Sequence, residues 1–161
     1  MNEHQLPAAT PANPALPRAL ITAHDPGAWM PDGPGKWSRP LHYLKGGSGF
    51  VELMRLEPGV GVGLHRHTGE VHAYNLEGSR RLSSGETIVP GDYVYEPAGN
   101  VDAWQAIGDG HLVVLVVVMG EVEYLGPGGA VTRRISCATR LEDYRRHCAA
   151  AGLSPPALSE A

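Results

Sequence analysis

From Lys36 onward, short runs of β-branched, aromatic and aliphatic residues alternate with turn signals at Gly46-Gly47, Pro58-Gly59, Ser84-Gly85, Pro90-Gly91, Ala98-Gly99 and Asp109-Gly110. Runs of that length, punctuated every eight to twelve positions, describe an all-β sandwich or small barrel. The pattern predicts strands over Trp37–Tyr43, Phe50–Leu56, Gly63–His67, Val71–Leu76, Arg80–Leu82, Glu86–Val89, Tyr93–Glu96, Val101–Ala106, Leu112–Met119, Glu121–Leu125 and Val131–Ile135. Leu112–Met119 is apolar throughout, far shorter than the roughly 20 residues of a membrane helix, and reads as a fully buried central strand. Glu121 and Glu123 alternate with Val122 and Tyr124, the pattern of a half-solvated strand. A 3.6-residue period appears only after Ala138, with Thr139 as N-cap, Glu142 completing a capping box and Gly152 as the stop. This predicts one helix, Arg140 to Ala151. No repeat with a period of 20–50 residues is present, which argues against a solenoid or propeller.

Seven of the 14 prolines precede residue 35, where fixed φ and missing N–H donors disfavour pairing. The chain of 161 residues is therefore expected to be one domain in three parts: a Pro/Ala-rich arm over 1–34, a β-barrel over 35–136, and a helix and tail over 137–161. A net charge of -4 without a long basic run argues against a nucleic-acid partner. The first residues lack a signal core and no run is long enough for a membrane span, so a cytoplasmic location is expected. Cys137 and Cys148 are too few for a disulfide framework and read as reduced thiols.

Chemistry concentrates between residues 65 and 72, which hold three of the eight histidines. In a strand, His65 and His67 project from the same face, about 6.5–7 Å apart along the backbone, a separation that two imidazoles close on one cation. Arg66 then faces the other way. An H-x-H pair alone is weak evidence for a metal, so its surroundings matter. Gly59 precedes His65 by six residues and Gly78 closes the next strand, while Gly91, Pro97 and Gly99 repeat a strand and a tight turn downstream.

These two segments resemble the paired cupin motifs, G-x5-H-x-H-x3,4-E-x6-G and G-x5-P-x-G-x2-H-x3-N. More narrowly, Leu64-His65-Arg66-His67-Thr68-Gly69, Val71-His72-Ala73-Tyr74 and Tyr93-Val94-Tyr95-Glu96-Pro97-Ala98-Gly99 are similar to the 2,4'-dihydroxyacetophenone dioxygenase family of cupins. The similarity runs from about Lys36 to Gly152. It implies a single-domain double-stranded β-helix (a jelly-roll barrel), a non-haem iron on histidines inside it, and O2-dependent cleavage of a C–C bond in an α-hydroxyketone. Two positions depart from the pattern. Val71 and His72 stand where the first motif has Glu, with Glu70 one place early, and Asp102 and Ala106 replace the His and Asn of the second.

With Asp102 in place of the missing His, His65, His67 and Asp102 make a 2-His-1-carboxylate set suited to Fe(II) with open positions for substrate and O2. The same donors suit Zn2+, or Ni2+, and Lewis-acid chemistry without a redox step. Asp102 is equally able to serve as a turn residue that accepts backbone hydrogen bonds. Glu96 is a candidate general base, and His72 a candidate proton shuttle or further ligand. Tyr74, Tyr95 and Trp104 are candidates to line a substrate cavity. The expected activity is Fe(II)-dependent dioxygenation of a small, aromatic hydroxyketone or diketone. The alternatives are a non-oxidative Zn2+ or Ni2+ isomerase, cyclase or lyase, and a metal- or ligand-binding cupin without turnover. Open sheet edges predict a homodimer or homotetramer.

Overall fold

The computed structural model describes residues 29–154, which form two six-stranded antiparallel sheets and one helix. The strands are β1 (Met30–Pro31), β2 (Lys36–Tyr43), β3 (Gly49–Leu56), β4 (Gly61–His67), β5 (Val71–Glu77) and β6 (Ser79–Leu82). They continue as β7 (Thr87–Ile88), β8 (Tyr93–Glu96), β9 (Val101–Ile107), β10 (Leu112–Met119), β11 (Val122–Leu125) and β12 (Val131–Ile135), followed by α1 (Cys137–Ala151). One sheet runs β1-β2-β3-β10-β5-β8 and the other β12-β11-β4-β9-β6-β7. Chain neighbours such as β3 and β4 lie in different sheets, so the connections cross between layers as in a jelly roll. No helix among the described residues is long and apolar enough to cross a membrane.

The core fills the space between the sheets through period-2 alternation. In β10, Leu112, Val114, Val116 and Val118 are buried, while Val113, Leu115, Val117 and Met119 are only partly covered. β10 is central, between β3 and β5, but it is not buried on both faces as its sequence predicts. Valine's preference for strands made an outward-facing row look like core. β11 departs the other way: Glu123 is buried, its carboxylate accepting from Arg66 Nε and Nη2 on the neighbouring strand and paired with Arg134. Arg66 itself points away from His65 and His67, as strand parity requires.

The described part of the expected arm begins inside the fold. Met30 is buried in the core and β1 pairs with β2, whereas residues 1–28 of that arm lie outside the described residues. Asp32, just after β1, receives Arg140 of α1 at 2.9 Å, and Arg140 also reaches Glu52 at 3.1 Å. Arg140 thereby ties the chain's first described turn to its last element. α1 starts three residues earlier than its periodicity predicts. Ser136 is the N-cap, its side chain accepting from the Thr139 N–H while the Ser136 N–H donates to Thr139 Oγ1. Thr139 is the third helical residue that closes the box, and the Thr139–Glu142 pair is not the cap. Gly152 ends the helix in the left-handed conformation, at the expected place. Both cysteines are free and buried.

Candidate functional site

A cavity of about 50 Å3 lies between the sheets, walled by apolar side chains that include Phe50, Met54, Val116 and Val122. At roughly 10–15 Å3 per water it has room for only a few water molecules. Into this apolar space the fold places a polar set: His65 and His67 from β4, Glu96 from β8 and Arg80 from β6. Glu52 and Arg140 line another part of it.

The two imidazoles meet there. Their Nε2 atoms are 3.1 Å apart and the rings stand edge to face at 84°. His65 Nδ1 lies 2.8 Å from the Gly63 carbonyl, which can only accept, so the His65 proton is on Nδ1 and its Nε2 lone pair faces His67. Burial, with a contribution from His65, lowers the His67 pKa to about 4 against the opposing pull of Asp102. The His67 ring is thus neutral at ordinary pH. Two lone pairs at this distance repel unless a proton of His67 or a shared cation lies between them. Nitrogen donors about 2.0–2.1 Å from one cation at ordinary coordination angles are roughly 3.0–3.4 Å apart, so the spacing fits a metal.

Two carboxylates flank the pair. Asp102 is directly opposite His65 in the β4–β9 register and buried, as its expected role requires. Its Oδ1, however, accepts from Ser83 Oγ at 2.6 Å, from the Ala103 N–H at 2.8 Å and from the Ser83 N–H at 3.4 Å, and Asp102 is not among the cavity-lining residues. Glu96 does line the cavity. Its Oε2 is 3.6 Å from His67 Nε2, and Oε1 accepts from Asn100 Nδ2 at 2.7 Å. Among the described residues no three His, Cys, Asp or Glu side chains are already gathered as a complete metal-binding group. The fit to a cation therefore rests on the two imidazoles, with Glu96 the carboxylate nearest to completing it.

Trp104 faces the cavity, on the same side of β9 as Asp102. Tyr74, Tyr95 and His72 do not. The β5–β8 register pairs His72 with Tyr95 and Tyr74 with Tyr93 on the outer face, while Val71, Ala73 and Glu96 take the inner one. His72 Nδ1 contacts Tyr93 Oη at 2.6 Å and Nε2 lies 3.4 Å from Glu70, so its partners are solvent-side groups. The turn at Thr68-Gly69 breaks the alternation started by His65, which is why parity across it was not legible. Sequence reasoning passed over Arg80, Glu52 and Arg140. The available signal was thin, since Arg80 shares strand parity with Leu82 but sits beside another arginine.

The profile of the ChrR cupin-like domain family matches residues 18–123, more than half of the chain. No curated protein matches the sequence. Among solved structures, the chain is similar to an RmlC-like cupin from Ralstonia eutropha, at 25% identity over 82% of this chain and 88% of that one, with a TM-score of 0.77. It shares its fold with the acetylacetone dioxygenase of Acinetobacter johnsonii, at 14% identity over 88% and 99% of the two chains, TM-score 0.72. A smaller likeness, TM-score 0.50 at 21% identity over 56% and 48%, is to the complex of Rhodobacter sphaeroides SigE with the anti-sigma ChrR. Profile, strand order and interior histidines agree with the resemblance read from the two motifs, and the chain belongs to the ChrR cupin-like domain family within the cupin superfamily.

Proposed function

We propose that the protein is a metal-dependent cupin enzyme that uses Fe(II) and O2 to cleave a C–C bond in a small hydroxyketone or diketone. The observation that carries this reading is the pair of imidazole nitrogens 3.1 Å apart inside a largely apolar cavity. His65, His67 and the Glu96 carboxylate would hold the metal, with Asp102 kept in its bonds to Ser83 and Ala103. Bound there, iron would supply O2 activation and open positions for a chelating ketone. The chain's own part is orientation and exclusion. The Gly63 carbonyl fixes the His65 tautomer, Asn100 orients Glu96, and the valine and phenylalanine walls give the site an apolar surround.

The cavity of about 50 Å3 is not sealed from its surroundings, so the choice between aliphatic and aromatic ketones is left to direct assay. The barrel shared with the A. johnsonii acetylacetone dioxygenase makes diketone cleavage an available use of this fold. The test is metal analysis of protein purified without added metal, then O2 uptake with Fe(II) against acetylacetone, hydroxyacetone and 2,4'-dihydroxyacetophenone. Stoichiometric iron and uptake with a small ketone are expected; turnover that persists without O2 would instead assign the non-oxidative Zn2+ or Ni2+ chemistry. Sedimentation of the same preparation tests the homodimer or homotetramer.

A second reading, a ligand-binding cupin without turnover, draws on the ChrR family match and on the unassembled third donor. Iron that binds but supports no turnover of any of these ketones would favour it.

A further inference from the structure

Arg80 is 98% removed from solvent, at 2% relative exposure, and lines the cavity that holds His65 and His67. Its Nε and Nη2 are buried and have no hydrogen-bond partner among the described residues. Among the described residues no carboxylate forms an ion pair with it, although Glu96 and Asp102 are near enough for their charge to be felt. The other buried arginine, Arg140, is paired with Asp32 and Glu52. A guanidinium taken out of water without an anion is costly, and such a group in a cavity is explained when its partner arrives from outside.

The identity of the unpartnered atoms narrows the class of partner. Nε and Nη2 form one edge of the guanidinium, and their N–H bonds run parallel, the spacing that matches the two oxygens of a carboxylate. Arg66 directs this same edge to Glu123. The Arg80 guanidinium carbon lies over the Trp104 ring, 4.9 Å from its centroid, a contact that takes up neither donor as a hydrogen bond to oxygen.

We propose that Arg80 is the anchor for a carboxylate on the substrate, so that the ligand is a small oxo acid whose carboxylate sits on the Nε–Nη2 edge and whose ketone oxygen points toward His65 and His67. This deepens the ketone reading above but needs no metal and no turnover for its own test.

Pyruvate and diacetyl have the same shape and differ in one end, carboxylate against acetyl, which makes them a matched pair of probes. Titration calorimetry on the purified full chain is expected to show pyruvate binding at least about tenfold more tightly than diacetyl, the size of a charge-assisted bidentate contact. Arg80→Gln is expected to abolish the preference and Arg80→Lys, which keeps the charge but loses the fork, to reduce it. Circular dichroism checks that each variant is folded, and the wild-type comparison stands without either variant. His67→Ala is expected to keep the carboxylate preference while losing metal, which separates this inference from the dioxygenase reading. Equal affinities, no measurable pyruvate binding at millimolar concentration, or an undiminished preference in folded Arg80→Gln would each overturn it.

Discussion

At the scale of single residues, the site turns on which carboxylate stands in the cavity with the histidines. Each has one oxygen engaged, Asp102 Oδ1 by Ser83 and Ala103 and Glu96 Oε1 by Asn100, but only Glu96 lines the cavity, with Oε2 3.6 Å from His67 Nε2. Metal analysis is therefore expected to show Glu96→Gln losing most of its bound metal and Asp102→Asn retaining it; the opposite result would restore the set read from the motifs. Gly78, a motif glycine, shows the steric side of the same resemblance. Its φ is +64°, and a Cβ there would stand 2.3 Å from the His111 carbonyl oxygen. Gly99 also has positive φ, +86°, but open space around it. Urea unfolding should report a loss of at least about 2 kcal/mol for Gly78→Ala, from left-handed strain plus a backbone clash, and about 1 kcal/mol for Gly99→Ala from strain alone.

At the scale of elements, Arg140 makes α1 part of the fold. Removing that side chain leaves Asp32 and Glu52 buried without their partner, so Arg140→Met is expected to cost about 3–5 kcal/mol, measured by denaturant unfolding. Within the same cluster Asp32 adds to the acid limb of stability, while Glu52, whose carboxyl burial pushes up, works against it. Burial alone would raise the Asp32 pKa, but the Arg140 hydrogen bond and charge, with Lys36, bring it down from 3.8 to about 2. A carboxylate depressed in the folded state contributes stability that is fully present above pH 3.8 and is lost as the pH falls through about 2. This amounts to about 2 kcal/mol, and Asp32→Asn is expected to flatten the stability curve between those pH values. In the helix itself, Ser136→Ala should cost about 1 kcal/mol, because Ser136 carries the cap that periodicity had placed on Thr139. The misplacement has a simple cause. Periodicity marks where a helix buries a face, and its first turn precedes that face.

At the scale of the molecule, a resident metal would bind only the folded barrel and so add to its stability by mass action. Chelation is expected to lower the melting temperature by roughly 5–10 °C if the metal is held near 100-fold saturation, and reloading should restore it. An unchanged melting temperature would favour a barrel that works without one. The strands and their turns, and the shared face of His65 and His67, were determined by the sequence itself, because both follow from periodicities of two residues and from turn glycines, which are local. Residues separated by a turn or lying on different strands were another matter. His72, Tyr74 and Tyr95 face outward, Arg80 lines the cavity that holds the histidines, and Glu96 lines it beside His67 while Asp102 does not. Only the packed sheets decided these, since strand register, the β4–β9 irregularity between Val62 and His65, and competition for hydrogen bonds are properties of strands brought together from distant parts of the chain.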